Sequence, residues 1–64
     1  MGTSEPLISI TDVSEMLGVP VATLYRWRYL GEGPPGYRIG RHVRYRRSAV
    51  EAWIEQQADV RIAG

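Results

Sequence analysis

The chain has 64 residues and no cysteine, which leaves room for one domain with a small core and excludes disulfides and cysteine-ligated zinc as its support. Its first six residues lack the basic and apolar stretches of a signal peptide, and no apolar run is long enough to cross a membrane, so we expect a soluble cytoplasmic protein. The net charge of +1 is unevenly distributed: residues 26–47 carry seven arginines against one glutamate between acidic flanks, which predicts a surface that binds a polyanion.

The chain is predicted to begin with a lead, a short extended segment and a first helix. Residues 1–6 are expected to be a disordered lead, and residues 7–10 an extended segment that covers the core. Thr11 is the predicted N-cap of the first helix, because its hydroxyl can accept a hydrogen bond from the first turn and acidic residues follow it. Gly18 ends this helix, since glycine readily adopts the left-handed conformation of a helix C-terminus.

A second helix is predicted to follow the short turn at Val19-Pro20. Proline is tolerated where a helix begins, and Gly31 is the predicted stop. The inner side of this helix is predicted to carry Val21, Leu24, and Trp27 or Arg28. Two short helices joined by a turn of three or four residues that contains glycine predict a helix-turn-helix unit, whose second helix lies in the major groove of DNA.

The outward residues of the second helix are the candidate base-reading residues, namely Ala22, Thr23, Tyr25 and Arg26. Arg26 can fork onto a guanine, Thr23 can bond a base or a phosphate, and Tyr25 can donate its hydroxyl to a phosphate. The alternative for Arg26 is a solvated charge on the helix surface. Trp27 is interpreted as a core residue, with stacking on a base as the alternative.

A β-hairpin is predicted after the Gly- and Pro-rich connection at residues 31–36, because residues 37–39 and 43–45 alternate in period two. A two-residue loop would oppose Arg38 to Val43. A three-residue loop, residues 40–42, would instead make three other pairs: Ile39 with Val43, Tyr37 with Tyr45, and Arg38 with Arg44. We predict the three-residue loop, because it gathers apolar pairs on one face and leaves a like-charge pair that a bound anion would stabilise.

The hairpin is interpreted as a wing that contacts DNA. The candidate contacts on the wing and just behind it are Arg38, Arg41, His42, Arg44, Arg46 and Arg47. Arg41, at the tip, is the candidate for the minor groove, where a narrow A·T-rich segment strengthens the negative potential. The alternative for the group is a hairpin edge kept soluble by its charges. His42 is the only histidine and has neither cysteines nor neighbouring carboxylates, so it is expected near a phosphate, and no metal, cofactor or catalytic site is expected.

A third helix is predicted from the capping box Ser48-Ala49-Val50-Glu51, in which Ser48 caps the helix rather than acting as a nucleophile. The apolar stripe of this helix is predicted to consist of Val50, Trp53, Ile54 and Gln57. Residues 58–64 are expected to be a frayed tail. The predicted domain therefore spans residues 7–57.

Seven motifs, taken in their order along the chain, resemble those of a known family. These motifs are Ile10-Thr11, Val13 to Val19, Thr23 to Trp27, Gly31 to Pro34, Tyr37 to Arg41, Val43 to Arg46, and Val50 to Ile54. The series resembles the small excisionase-like, MerR-related winged helix-turn-helix proteins of phages, prophages and other mobile elements. The resemblance covers about residues 7–55. One departure is Pro20-Val21-Ala22, where many relatives carry polar or basic residues, and it shifts the expected weight of DNA recognition toward the wing.

The resemblance implies a mainly α fold with a small β-hairpin, ordered as a helix-turn-helix, a two-stranded wing and a C-terminal helix. It also implies binding of double-stranded DNA by residues 23–26 in the major groove and by residues 38–44 of the wing. Such proteins often act as recombination directionality factors, which bend repeated sites and help a tyrosine-type integrase to choose excision over integration.

The leading expectation is therefore a non-enzymatic excisionase that associates head to tail on DNA and uses no membrane and no small-molecule substrate. One alternative is a small transcription regulator of a mobile-element operon. A second alternative is a protein-interaction adaptor whose arginine-rich face meets an acidic partner.

Overall fold

The computed structural model describes residues 5–58, which form three helices and a small antiparallel sheet. In chain order the elements are β1 (Leu7–Ser9), α1 (Ile10–Leu17), α2 (Val21–Leu30), β2 (Tyr37–Ile39), β3 (His42–Arg46) and α3 (Arg47–Gln56). The strand order in the sheet is β1-β3-β2. This is the predicted winged helix-turn-helix, and the predicted extended segment adds a third strand to its two-stranded wing.

Helix α1 begins two residues earlier than predicted, because Ser9 and not Thr11 is its N-cap. The Ser9 hydroxyl oxygen accepts a hydrogen bond from the Asp12 N–H at 3.0 Å, and the Asp12 carboxylate accepts one from the Ser9 N–H at 3.2 Å. This reciprocal pair satisfies donors that the start of a helix leaves without partners. Gly18 ends the helix as predicted, with a φ of 70°.

Helix α2 has the predicted bounds, from the residue after Pro20 to the residue before Gly31. Leu24 is 1% exposed and fixes which side of the helix faces the core. The other predicted inner residues, Val21, Trp27 and Arg28, are half-buried. Trp27 packs against the buried cluster, so its interpretation as a core residue agrees with the structure.

The wing has a two-residue loop, Gly40-Arg41, so the predicted three-residue loop is wrong. The observed cross-strand pairs are Tyr37 with Arg44, Arg38 with Val43, and Ile39 with His42. Gly40 has a φ of 64°, and glycine with positive φ at the first loop position is what a tight two-residue hairpin accepts. The loop therefore sets the register against the preference of the apolar side chains for pairing with one another.

Two predicted pairs are absent because of this register. Tyr45 pairs with Ile8 of β1 and not with Tyr37. Arg38 and Arg44 lie on opposite faces of the sheet, because Arg38 shares a face with its partner Val43, and consecutive residues such as Val43 and Arg44 point to opposite faces. The prediction that Arg38 and Arg44 form a like-charge pair with an anion between them is therefore wrong.

Helix α3 begins at Arg47, so Ser48 is not its N-cap and the predicted capping box is wrong. Arg46 occupies the N-cap position without a capping side-chain hydrogen bond. The Glu5 carboxylate accepts hydrogen bonds from the Ser48 N–H at 2.9 Å and from the Ser48 hydroxyl at 2.8 Å. A carboxylate at this place satisfies helix donors and interacts favourably with the positive end of the helix. A residue of the predicted lead thus caps α3 from across the fold.

Replacing Glu5 with glutamine should make the stability of the fold less sensitive to a fall in pH. The hydrogen bonds from Ser48, chiefly from its backbone, lower the pKa of Glu5. A lowered pKa stabilises the fold above the ordinary carboxyl range, and this contribution is lost as the pH falls through the folded-state value. When the pH is lowered from about 6 to about 3, the melting temperature of Glu5→Gln, measured by circular dichroism, should therefore fall less than that of the unmodified protein. Equal losses would contradict this assignment, and Glu51→Gln controls for the removal of one negative charge.

The core lies where α1 and α3 pack on β3 and α2 packs on α1. Its buried side chains are Ile10, Val13, Leu24, Val43, Tyr45 and Val50. Burial raises the pKa of the Tyr45 phenol, while the charge of the neighbouring Arg28 acts in the opposite direction. In α3, Trp53 and Ile54 are half-buried beside this core, as predicted for the apolar stripe. Gln57 is exposed and lies after the end of the helix, so its predicted membership of the stripe is wrong.

The structure does not describe the first and last residues of the chain. Residues 1–4 of the predicted lead and residues 59–64 of the predicted tail lie outside the described residues. Within residues 5–58, no helix has the length and apolar character needed to cross a bilayer.

Candidate nucleic-acid interface

The outward side of α2 is a continuous exposed surface. Ala22, Tyr25 and Arg26 are exposed and share one face, because residues three and four positions apart are neighbours on a helix. Tyr29 continues this face and is 89% exposed. Sequence reasoning missed Tyr29, although its spacing from Ala22, Tyr25 and Arg26 could have identified it. These four residues are called the α2 face below.

Thr23 lies on the flank of α2 rather than on the α2 face. Its side chain is half-buried, and its backbone N–H donates to the Pro20 carbonyl at 3.0 Å. Of the four predicted base-reading residues, the structure therefore brings three together on one surface. The guanidinium of Arg26 and the phenols of Tyr25 and Tyr29 can donate hydrogen bonds to phosphate or base oxygens.

Three of the predicted wing contacts lie at the end of the hairpin. Arg38, Arg41 and His42 are all exposed. Arg41 is the second residue of the hairpin loop, as expected for the tip, whereas His42 is the first residue of β3 and not a loop residue. Arg38 and His42 project from opposite faces of the hairpin, since their partners Val43 and Ile39 do. The end of the wing can therefore donate hydrogen bonds in three directions.

The other three predicted arginines have partners within the protein. Arg44 is half-buried, and its Nη1 donates to the Val43 carbonyl at 3.0 Å. The Arg46 guanidinium carbon lies 5.6 Å from the centre of the Tyr37 ring, and Arg46 Nε donates to the Tyr37 hydroxyl at 3.4 Å. Arg47 Nη1 lies 3.9 Å from a methionine sulfur. Because a guanidinium has five N–H donors, each of these groups keeps donors for a phosphate.

The face of the sheet that points away from the core, called the outer face of the sheet below, carries apolar residues that we predicted to face the core. Tyr37 and Ile39 are 43% and 50% exposed, and they share this face with Arg44 and His42. Leu7 of β1 adds a further exposed side chain beside Arg46. The error follows from the predicted register, which placed Tyr37 and Ile39 with the core residues of β3.

The α2 face and the wing together supply donors of guanidinium, phenol and imidazole type. Such donors bind anions, and their spread over a helix and a hairpin suits an extended polyanion more than a single small anion. Within residues 5–58, no three His, Cys, Asp or Glu side chains come together as a group able to hold a metal ion.

Comparison with known families agrees with this geometry. Residues 7–58 match a family model described as a helix-turn-helix domain. The match includes all six elements, and with them the α2 face and the wing. Comparison with curated proteins gives no significant match.

Proposed function

The chain belongs to the helix-turn-helix domain family, and from this premise we propose that it recognises a specific DNA sequence and bends it. The domain itself supports DNA binding. In the proposed complex, α2 lies in the major groove and the wing reaches the adjacent minor groove. The observation that carries the proposal is the presence, in one small domain, of an exposed α2 face and an exposed wing tipped by Arg41.

The proposed roles follow from exposure and chemistry. On α2, Arg26 forks onto a guanine, the exposed phenols and Thr23 donate to phosphates, and Ala22 permits close approach. On the wing, Arg41 enters the minor groove. The remaining contacts are proposed to be with phosphates and are made by Arg38, His42, Arg44, Arg46 and Arg47.

The biological role that we propose is that of an excisionase, a recombination directionality factor for a phage or prophage integrase. The ordered motifs between residues 7 and 55 support this role through their resemblance to excisionase-like, MerR-related proteins. Arginine inserted in the minor groove also favours bent DNA. The protein would carry out no chemical step, would assemble head to tail along DNA in the bacterial cytoplasm, and would assist a tyrosine-type integrase by shaping the DNA.

Two other functions have supporting observations. A transcription regulator of a mobile-element operon would use the same α2 face to bind its operator. A protein-interaction adaptor is favoured by the outer face of the sheet, where Leu7, Tyr37 and Ile39 are exposed beside arginines. The excisionase is preferred over the regulator because of the resemblance, and over the adaptor because it accounts for the α2 face and the wing.

A footprint and a circular-permutation bend assay on DNA flanking the gene of this protein would test the proposal. Protection that spreads cooperatively over direct repeats, together with a bend, is the expected result. One compact inverted repeat without a bend would replace the excisionase with a dimeric regulator. Absence of sequence-specific protection would favour the adaptor.

Arg26→Ala and Arg41→Ala should weaken DNA binding in different ways. Loss of a guanine contact by Arg26→Ala should cost about 1–3 kcal/mol on the preferred site and relax the sequence preference. Arg41→Ala should weaken binding to all A·T-rich duplexes and reduce the bend. The measurement is fluorescence anisotropy with specific and random duplexes. Equal losses on both duplexes for Arg26→Ala would contradict its role in base reading.

A further inference from the structure

A cleft of about 530 Å³ lies between α2 and α3, away from the proposed DNA contacts. Its lining residues are Trp27, Gly31, Glu32, Gly33, Trp53 and Gln57. The two indole rings are 5.7 Å apart between centroids and tilted by 46°. Trp27 follows Arg26 directly, and consecutive helical residues point about 100° apart, so the cleft opens to a different side of α2 from the α2 face.

The connection after α2 forms one wall of this cleft. The Glu32 N–H donates to the Trp27 carbonyl at 2.7 Å, which anchors the connection over the end of the helix. Gly33 passes so close to the Trp27 ring that an added Cβ would lie 2.8 Å from Cε3. The backbone thus covers one edge of the indole and leaves the ring beside Trp53 open to the cleft.

The residues that line the cleft favour a positively charged occupant, and Arg28 in the last turn of α2 is not among them. Gly31 and Gln57, which cap the C-termini of α2 and α3, both line it, so the negative ends of two helices meet there. Glu32 is an exposed acidic residue of the lining, and none of the lining residues is basic. This contrasts with the arginine-rich wing of the same domain.

Aromatic faces, a carboxylate and helix C-termini together attract a cation that is weakly hydrated. Quaternary ammonium groups are bound in proteins by cages of aromatic rings, because the ring faces are negative and the ion loses little hydration. A strongly hydrated metal ion would need several oxygen ligands in a fixed geometry, whereas the lining contains one acidic residue, Glu32, and two tryptophans. We propose that the cleft lined by Trp27 and Trp53 binds a small organic cation with a quaternary ammonium group beside the packed pair of indole rings. The site is separate from the proposed DNA contacts and does not depend on the proposed excisionase role.

Intrinsic fluorescence gives a direct test, because Trp27 and Trp53 are the two tryptophans of the chain and both line the cleft. The full chain is titrated with choline chloride at constant ionic strength. Its neutral isostere 3,3-dimethyl-1-butanol is the matched control ligand. A saturable change is expected with choline in the millimolar range or below. The neutral isostere should bind roughly tenfold more weakly.

Variants identify the site. Glu32→Gln should weaken choline binding by roughly tenfold, since it removes the negative charge and keeps the shape. Glu51→Gln, an exposed carboxylate outside the lining, should leave it unchanged. A linear response to choline, equal binding of the isostere, or equal effects of the two variants would overturn the proposal.

Discussion

Raising the salt concentration from about 50 to about 200 mM should weaken binding to the preferred DNA site by roughly 500-fold. Each phosphate neutralised by an arginine releases counterions, and about five such contacts give a slope of −4 to −5 between the logarithms of affinity and salt. Five arginines are proposed to release counterions in this way: Arg41 does so from the minor groove, and Arg38, Arg44, Arg46 and Arg47 do so at phosphates. The measurement is fluorescence anisotropy with a labelled duplex over a series of potassium chloride concentrations.

A double variant tests which side chains produce this slope. Arg38 and Arg41 are exposed at the end of the wing, and replacing both with alanine should reduce the slope by about two units. The affinity should fall on specific and random DNA alike. A slope near zero in the unmodified protein would mean that phosphates contribute little, and it would move the preference toward the adaptor function.

Leu24→Ala should lower the free energy of unfolding by about 2–5 kcal/mol. Leu24 is 1% exposed and belongs to the buried cluster on which α2 packs, so truncation removes apolar contacts and leaves a cavity. A domain of this size is stabilised by only about 3–10 kcal/mol in total, so the variant should lose a large share of its stability and melt well below the unmodified protein. Urea denaturation followed by circular dichroism measures the change.

Leu30→Ala is the matched control on the same helix. Leu30 is 52% exposed, and its replacement should change the free energy of unfolding by no more than about 0.5 kcal/mol. If the two variants were equally destabilised, helix propensity rather than burial would be the cause. The assignment of Leu24 as the anchor of α2 would then be wrong.

Local chemistry predicted the helices well. Glycines at positions 18 and 31 end α1 and α2 as expected, because the left-handed conformation at a helix end is a property of the residue itself. The starts of α1 and α3 were less predictable, because more than one residue near each start could act as the N-cap. Ser9 rather than Thr11 is the N-cap of α1, because Asp12 lies three residues after Ser9 and completes the reciprocal hydrogen bonds. The carboxylate at the start of α3 belongs to Glu5, which is distant in sequence, so no local pattern could identify it.

The wing register could not be predicted from alternation because the sheet has a third strand. Pairing Tyr37 with Tyr45 looked favourable for an isolated hairpin. In the structure Ile8 supplies the partner of Tyr45, which leaves Tyr37 free to face outward and stack with Arg46. The candidate DNA contacts followed from residue type and helix position. The exposure of Tyr29 and the internal partners of Arg44 and Arg46 needed the structure.

The pairing of β1 with β3 also has a consequence for folding. Strand pairing between positions 8 and 45 closes a loop that contains α1, α2 and the first strand of the wing. Closing such a loop costs chain entropy before packing compensates for it, so the two helices and the sheet should form in one cooperative step rather than in succession. Backbone amides of α2 and β3 should then exchange with solvent deuterium at similar rates, through the same global opening. Helix α2 and the wing would accordingly form and unfold together, and the fraction of protein able to bind DNA would equal the fraction folded.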